Sequence, residues 1–247
     1  MILPHPWPVA FTGSQVDRTI CSCGVLECYA MDSPLLQADM INTAVDGTVL
    51  LNIAVMPPPE IASEISILSR ELLAEGGLFE IDGVDRHAHL TLYMSRFTVD
   101  AIGVVQDRLS VAIERMSSIR LRHTGYFCTP GQYYEASYDR SEELMALHHA
   151  AIGAVQDVRY APGNPVVEQY FGRYSDEQRE NAETYGYDLA GDLYRPHITI
   201  TRFMSLPDPT VLPRSSQDLS FAIRGIGLFV ADDQGAARNL VAAFDLS

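Results

Sequence analysis

Hydrophobic positions recur with a helical period in three segments of the sequence. Apolar side chains three and four residues apart predict helices over about 60–75, 99–116 and 142–155. A Gly-Gly pair ends the first helix, and Ser141 provides an N-cap for the third. A Ser-Asp-Glu-Gln capping box predicts a further short helix after Ser175.

Between the helices the pattern changes to apolar runs and alternations that favour strands. Three consecutive prolines end the first run, and a Thr-Pro-Gly turn divides two others into a hairpin. The order of elements predicts a mixed helix and strand protein with a weak internal repeat. Strands are predicted over 48–56, 88–94, 119–127, 132–139 and 194–203, with two more from 221 to the C terminus.

Two of the predicted strands carry the same short motif. HLTL at 89–92 and HITI at 197–200 lie 108 residues apart, and each places a histidine two residues before a threonine. Alternate residues of a strand share a face, so the imidazole and the hydroxyl point the same way and the aliphatic residues turn toward the helices. Strict alternation adds Tyr93 to the first polar face and Thr201 to the second. A single copy would carry no weight, but two copies with matching aliphatic positions exceed chance.

The composition indicates a globular protein with a negatively charged surface. Hydrophobic residues make up 47% of the 247 positions, which is enough for a sizeable core. The formal net charge is −15, and no Lys/Arg run interrupts the acidic surface. Long nucleic acid is therefore disfavoured as a partner. A small anionic substrate stays compatible, because a site needs only a few local donors.

The start of the sequence does not resemble a secretory signal. It lacks basic residues, and early prolines interrupt its apolar stretch. No run reaches the 18 apolar residues of a membrane-spanning helix. We expect a soluble, cytoplasmic protein with no membrane partner. Residues 1–45, which have weak periodicity, are assigned to an N-terminal extension, and residues 46–247 to the main domain.

Three of the four cysteines, Cys21, Cys23 and Cys28, lie close together in the extension. Their C-x-C-x4-C spacing is unusual for zinc and would need a remote fourth ligand. Structural or free thiols are favoured over a metal site. Neither motif lies near a carboxylate-rich cluster, so we expect no metal and no cofactor.

The duplicated His-x-Thr-x motif resembles that of the 2H phosphoesterase superfamily, which includes the bacterial RNA 2′-5′ ligase-like proteins and cyclic nucleotide phosphodiesterases. The resemblance covers residues 46–247, and Pro196 before the second motif and the closing hairpin support it. It implies an α+β, bilobal fold. Two pseudo-symmetric antiparallel sheets flanked by helices would each present one motif to a central cleft.

The resemblance also implies a mechanism and a substrate class. His89 and His197 would be the catalytic residues, one acting as general base and the other as general acid without a metal ion. Thr91 and Thr199 would bind the phosphate oxygens. The expected reaction is hydrolysis of a small nucleotide with a 2′,3′-cyclic phosphate, a 2′-5′ linkage, or a cyclic or short oligonucleotide. The motifs are too alike to show which histidine is the acid.

Charged residues beside the motifs are further candidates. Arg202 follows the second motif where related sequences often have a basic residue, and it is a candidate phosphate ligand. Strict alternation puts it on the face opposite His197, so a bulge or a strand end would be needed. The first motif has Met94 at the corresponding position. Arg195 and His87 share the motif faces and either take part in the site or simply flank the strands.

Aromatic residues offer a surface for a nucleobase. Phe127 and Tyr134 are the candidates for base stacking, although such residues more often pack in a core. The segment 157–193 is rich in tyrosine and longer than a plain connection, so it is either a lid over the site or a packed surface excursion. His148 and His149 are neighbours on a helix, and we expect structural rather than metal-binding positions for both.

Other function classes stay open at this point. The chain could be a non-catalytic nucleotide-binding protein that keeps the fold, or an RNA 2′-5′ end ligase, against which the acidic surface counts. A His/Cys metalloprotein is a third alternative. Substitution of each motif histidine separates an enzyme from a binding protein, and metal analysis tests the third class.

Overall fold

The structure is a computed structural model of the chain. It describes residues 47–160, 164–205, 207–208, 212 and 217–247. The predicted N-terminal extension and its three clustered cysteines lie outside these residues. In the part of the chain that is described, no helix is long and apolar enough to cross a membrane.

The helices form where the apolar stripes predict them. The first begins at Pro59, because the fixed backbone angle and missing N–H of proline suit the first turn of a helix. Ser141 caps the third, since its side chain accepts a hydrogen bond from the backbone N–H of Leu144. The predicted capping box at Ser175 is confirmed. The helices are α1 (Pro59–Ala74), α2 (Ile102–Ile113), α3 (Glu142–Val155), α4 (Pro165–Tyr170) and α5 (Asp176–Tyr185).

The predicted strands are also present, with one of them divided. The run predicted over 119–127 becomes two short strands separated at Arg122. The strands are β1 (Thr48–Val55), β2 (Leu90–Thr98), β3 (Ile119–Leu121), β4 (His123–Cys128), β5 (Tyr133–Tyr138), β6 (His197–Arg202), β7 (Phe221–Ile223), β8 (Gly225–Ala231) and β9 (Ala237–Asp245).

The two motif strands are neighbours in the middle of one antiparallel sheet. The strand order is β4-β5-β6-β2-β1-β8-β9, and β3 pairs with β7 in a separate small sheet. The ladder between β2 and β6 consists of the pair Leu90–Ile198. The α+β class is confirmed. The two expected sheets are present as two halves of this sheet, one formed by β4, β5 and β6 and the other by β2, β1, β8 and β9. The halves meet edge to edge where β6 pairs with β2, at the motifs.

The helices cross from one half of the sheet to the other. Helix α1 packs on β6, and α3 packs on β2 and beside α2. The buried hydroxyl of Ser69 on α1 donates a hydrogen bond to the carbonyl of Ile200 and accepts one from the N–H of Ile81, both at 2.8 Å. Each half therefore helps to hold the motif strand of the other half.

His148 is a structural residue at this junction. One ring nitrogen, Nδ1, lies 2.7 Å from the carbonyl oxygen of Leu92, and the other, Nε2, accepts a hydrogen bond from the N–H of Gly191 at 3.0 Å. The ring stacks on Tyr194 at 3.9 Å. Burial lowers the pKa of His148 to about 4, so its neutral form is built into the fold. His149 is exposed.

We expect His148→Phe to destabilise the protein by about 2–4 kcal/mol at pH 7, because the carbonyl of Leu92 and the N–H of Gly191 lose their partner. As pH falls below about 6.5, the unfolded chain binds a proton that folded His148 does not, so the wild type loses stability. The difference in the free energy of unfolding between the wild type and His148→Phe should therefore be about 2 kcal/mol smaller at pH 5 than at pH 7. Urea unfolding at both pH values measures it.

The matched control is His149→Phe, which changes an exposed neighbour and should shift stability by less than about 0.5 kcal/mol. An equal cost of His148→Phe at pH 7 and pH 5 would contradict a buried neutral histidine.

Candidate active site

A β-bulge interrupts the second motif strand. Thr199 lies opposite Glu135 of β5, and Thr201 lies opposite the preceding residue, Tyr134. Between these two pairs the chain moves two residues along β6 but only one residue along β5, so Ile200 is the extra residue of the bulge. The bulge reverses the alternation of side chains beyond it.

The bulge brings Arg202 to the face of His197 and Thr199. The sequence pattern allowed this position for Arg202 only if the strand contained a bulge or ended there. The pairing of Arg202 with Tyr133, on the face of Glu135, fixes that direction. Thr201 instead turns into the core, where its hydroxyl donates to the carbonyl of Phe79 at 2.9 Å. The prediction that Thr201 shares the motif face is wrong, because strict alternation does not hold through a bulge.

A second bulge occurs at the same place in the first motif. Thr91 lies opposite Ala54 of β1, and Tyr93 lies opposite Ile53, which leaves Leu92 as the extra residue. The two halves therefore share a bulge as well as a motif.

This bulge changes the predicted face in the first motif as well. Tyr93 points into the core, and its hydroxyl donates to the carbonyl of Tyr185 at 2.6 Å. The prediction that Tyr93 shares the motif face is therefore wrong. Met94 takes the position that Arg202 has in the other half, so a thioether replaces a guanidinium.

Both motif histidines are held by a backbone carbonyl two residues earlier. Nδ1 of His89 lies 2.8 Å from the oxygen of His87, and Nδ1 of His197 lies 2.7 Å from the oxygen of Arg195. A carbonyl oxygen only accepts, so each Nδ1 carries a hydrogen, and each Nε2 is left as the ring nitrogen that can accept or give a proton. His87 and Arg195 thus orient the histidines through their main chain, which the side-chain pattern did not indicate.

The surroundings of His89 carry little charge. Burial is the main cause that lowers the pKa of His89 to about 4; the hydrogen bond to His87 raises it, and the positive charge of His197 lowers it further. The residue as a whole is still partly exposed. His89 is therefore a neutral imidazole at neutral pH.

Asn52 on β1 holds the threonine of the first motif. Its side-chain amide donates to Oγ1 of Thr91 at 3.0 Å and to the carbonyl of Gly235 at 3.4 Å, and the residue is fully buried. Sequence reasoning missed it. The available signal was an asparagine in the middle of the otherwise apolar run VLLNIAV.

The surroundings of His197 carry charge. Oε1 of Glu135 lies 3.6 Å from Nε2 of His197, and the guanidinium of Arg195 forms an ion pair with the same carboxylate. Only 4% of the Glu135 side chain is exposed. Sequence reasoning missed Glu135, although its alternation with core residues in β5 placed it on one face of the hairpin.

Arg202 connects the site to the predicted lid segment. Its Nε donates to the carbonyl of Gly131 at 3.2 Å, and its guanidinium lies 5.0 Å above the ring of Tyr133. The hydroxyl of Tyr133 is 3.2 Å from that of Tyr170, at the end of α4. Burial raises the pKa of Asp188 in the same segment, and the charge of His197 acts against that rise. The segment thus borders the site, and its role as a lid stays a prediction.

The two candidates for base stacking differ in exposure. Phe127 lies opposite Glu135 on the motif face, is 50% exposed, and has the guanidinium of Arg195 at 6.0 Å. Tyr134 is 3% exposed and stacks on Tyr126 with ring centroids 5.7 Å apart. A base could not reach the ring of Tyr134 without a rearrangement, so Phe127 is the better candidate.

An NMR titration of the histidine rings should show His89 neutral down to a pKa of about 4, with its hydrogen on Nδ1, because burial opposes the charged form and the carbonyl of His87 accepts that hydrogen. The spectrum of His89→Gln assigns the resonance. A midpoint near 6.5, or a hydrogen on Nε2 in the neutral form, would contradict this geometry.

No family model and no curated protein matches the sequence, whereas solved structures do match it. E. coli LigT complexed with phosphate has a TM-score of 0.52 at 15% identity, over 82% of this chain and 99% of LigT. TT0787 of Thermus thermophilus has a TM-score of 0.51 at 20% identity, over 80% of this chain and 97% of TT0787. A structure described as a phosphoesterase has a TM-score of 0.50 at 15% identity, over 81% of this chain and 98% of its own. At these identities the likeness concerns the fold: the chain has the fold of the 2H phosphoesterases, with one His-x-Thr-x motif in each half of its sheet.

Proposed function

We propose that the protein is a metal-independent phosphodiesterase that hydrolyses a small nucleotide. The observation that carries the proposal is the matched pair of histidines beside the Leu90–Ile198 junction. In each, a main-chain carbonyl fixes the hydrogen on Nδ1 and leaves Nε2 for proton transfer. The structure of E. coli LigT complexed with 3′-AMP, which shares the fold at a TM-score of 0.50, supports a nucleotide ligand.

The reaction needs one proton acceptor and one proton donor on opposite sides of the phosphorus. One Nε2 takes a proton from water as the new bond from oxygen to phosphorus forms. The other gives a proton to the ribose oxygen as its bond to phosphorus breaks. Thr91, Thr199 and Arg202 bind the non-bridging oxygens and stabilise the developing charge.

Asn52 makes Thr91 a hydrogen-bond donor. The amide of Asn52 occupies a lone pair of Oγ1, so the hydroxyl hydrogen is left to point at an anion. The ionised non-bridging oxygens of a phosphodiester accept hydrogen bonds and do not donate them, so this direction suits a phosphodiester ligand.

The chemistry around the site supports the proposed substrate class. A 2′,3′-cyclic phosphate, a 2′-5′ linkage, and a cyclic or short oligonucleotide each present a phosphodiester next to a nucleoside, and the exposed ring of Phe127 offers a face for a base. The net charge of −15 disfavours long nucleic acid, and with it RNA end ligation. A cytoplasmic location, where such nucleotides occur, is part of the proposal.

We expect turnover of a 2′,3′-cyclic mononucleotide, a 2′-5′ dinucleotide or a cyclic dinucleotide in the presence of EDTA. His89→Ala and His197→Ala should each lower kcat/KM by at least about a hundredfold, the usual contribution of a general acid or base. Substrate and product are separated by chromatography. Because its side chain is exposed on α3, outside the motif strands, His149→Ala is the control and should retain full activity.

Two outcomes would contradict the proposal. Loss of activity in EDTA with recovery on addition of a metal ion would point to a metal-dependent reaction. Nucleotide binding without any turnover would favour the non-catalytic alternative.

Asn52→Leu should weaken binding of inorganic phosphate about tenfold, the effect of losing one hydrogen bond that orients the donor Thr91. Calorimetric titration measures the dissociation constant. In a Thr91→Val background the same substitution should change affinity less than about twofold, because the hydroxyl that Asn52 orients is gone. An equal effect in both backgrounds would show that Asn52 acts through the fold alone.

A further inference from the structure

The two halves of the sheet give their histidines different neighbours. The residue opposite the motif threonine is Ala54 in the first half and Glu135 in the second. A methyl group thus stands in one half where a carboxylate stands in the other. The motifs are the same, but the electrostatic settings of His89 and His197 are not.

Glu135 is held close to the reactive nitrogen of His197. Its Oε1 lies 3.6 Å from Nε2, and Nη2 of Arg195 donates to that same oxygen at 3.3 Å while Nη1 of Arg195 binds the other oxygen. A buried carboxylate needs such a partner, because desolvation of an unpaired charge is costly. The guanidinium therefore fixes the carboxylate in position to face His197.

The other charges around His197 do not replace this contact. Arg195 and His89 carry or can acquire positive charge, so neither supplies the negative charge that Glu135 does. Asp188 also acts on His197, but its carboxylate does not come within 4 Å of a nitrogen of the His197 ring, and its Oδ2 accepts a hydrogen bond from the amide of Gln178 at 3.2 Å. Glu135 is the carboxylate within 4 Å of the His197 ring among the described residues.

His89 lacks a comparable partner. The titratable groups that act on it are His87 and His197, which disfavour its charged form, and Asp232, which favours that form only as the smallest of the causes. Asp232 forms an ion pair with Arg238, as Glu135 does with Arg195, but its carboxylate does not come within 4 Å of a nitrogen of the His89 ring. The histidine of the first half is thus set to accept a proton.

We propose that Glu135 is a positioning residue that holds a proton on Nε2 of His197, so that His197 is the general acid and His89 is the general base. The proposal rests on the proposed function and adds to it which histidine gives the proton and which one accepts it. Water loses a proton to Nε2 of His89 as its oxygen bonds to phosphorus. The ribose oxygen leaves phosphorus and takes the proton from Nε2 of His197. Exchange with solvent then restores both rings.

The direction also orients the substrate. The leaving oxygen lies on the side of the second half, where Phe127 is exposed beside Arg195. The nucleoside that bears the leaving oxygen therefore places its base toward Phe127. Attacking water approaches from the first half, beside Met94 and Ala54, where no charged side chain stands on the motif face at the matching positions.

The first test is the pH dependence of kcat/KM for the best substrate of the nucleotide panel. In Glu135→Gln the alkaline limb, which reports loss of the acid's proton, should move to lower pH by about one unit, because an opposite charge next to the histidine has been removed. The acid limb, which reports His89, should stay. Glu71→Gln, an exposed change on α1, is the control and should leave both limbs unchanged.

A purely structural role of Glu135 would lower the whole profile without moving the alkaline limb, and that result would overturn the proposal. A shift of the acid limb instead would assign the carboxylate to the base and overturn it as well.

The second test does not need a Glu135 variant. A nucleoside 4-nitrophenyl phosphodiester has a leaving group that departs without a proton. With this substrate His197→Ala should lose less than about tenfold in kcat/KM, whereas His89→Ala should still lose at least about a hundredfold. The reverse order would exchange the two roles and overturn the proposal while leaving the proposed function intact. Absence of any wild-type turnover, with either substrate, would overturn the proposed function itself.

Discussion

Leu90 and Ile198 come from distant parts of the chain, and both side chains are fully buried where β2 meets β6. Each directly follows a motif histidine. Hydrogen bonding at this pair fixes the two histidines relative to each other, since a strand that slipped by one residue would turn its whole motif to the other face. Helices α1 and α3 pack across the junction from opposite halves, so the position of the site depends on the core of the whole domain.

The bulges decide which side chains join the histidines. Before the bulge, histidine and threonine share one face, and beyond it the side chains change faces. The same bulge turns the side chain of Arg202 toward the site and that of Thr201 into the core. In a regular strand the guanidinium would point away from the phosphate that it is proposed to bind. An extra residue in each motif strand is therefore as much a part of the site as the motif itself.

The sequence predicts what local patterns determine. The apolar stripes give α1, α2 and α3, and the duplicated motif gives β2, β6 and the four side chains His89, Thr91, His197 and Thr199. It does not predict the bulges, because these depend on the register between strands that are far apart in the chain. It also misses Asn52 and Glu135, whose roles arise from the partner across the ladder rather than from their own neighbours in sequence.

Hydrolysis of a phosphodiester needs one group that accepts a proton and one that gives a proton, whereas two identical motifs do not distinguish these roles. If both histidines had the same surroundings, the protein with a single proton on the pair would be divided equally between two forms, and only one of them would suit the proposed substrate bound in a given orientation. Different residues at matching positions remove this degeneracy. Ala54 and Met94 keep the first half uncharged, while Glu135 and Arg202 make the second half charged. In the proposed mechanism the two histidines can therefore stay duplicated, because the residues on the strands beside them set the direction of proton transfer.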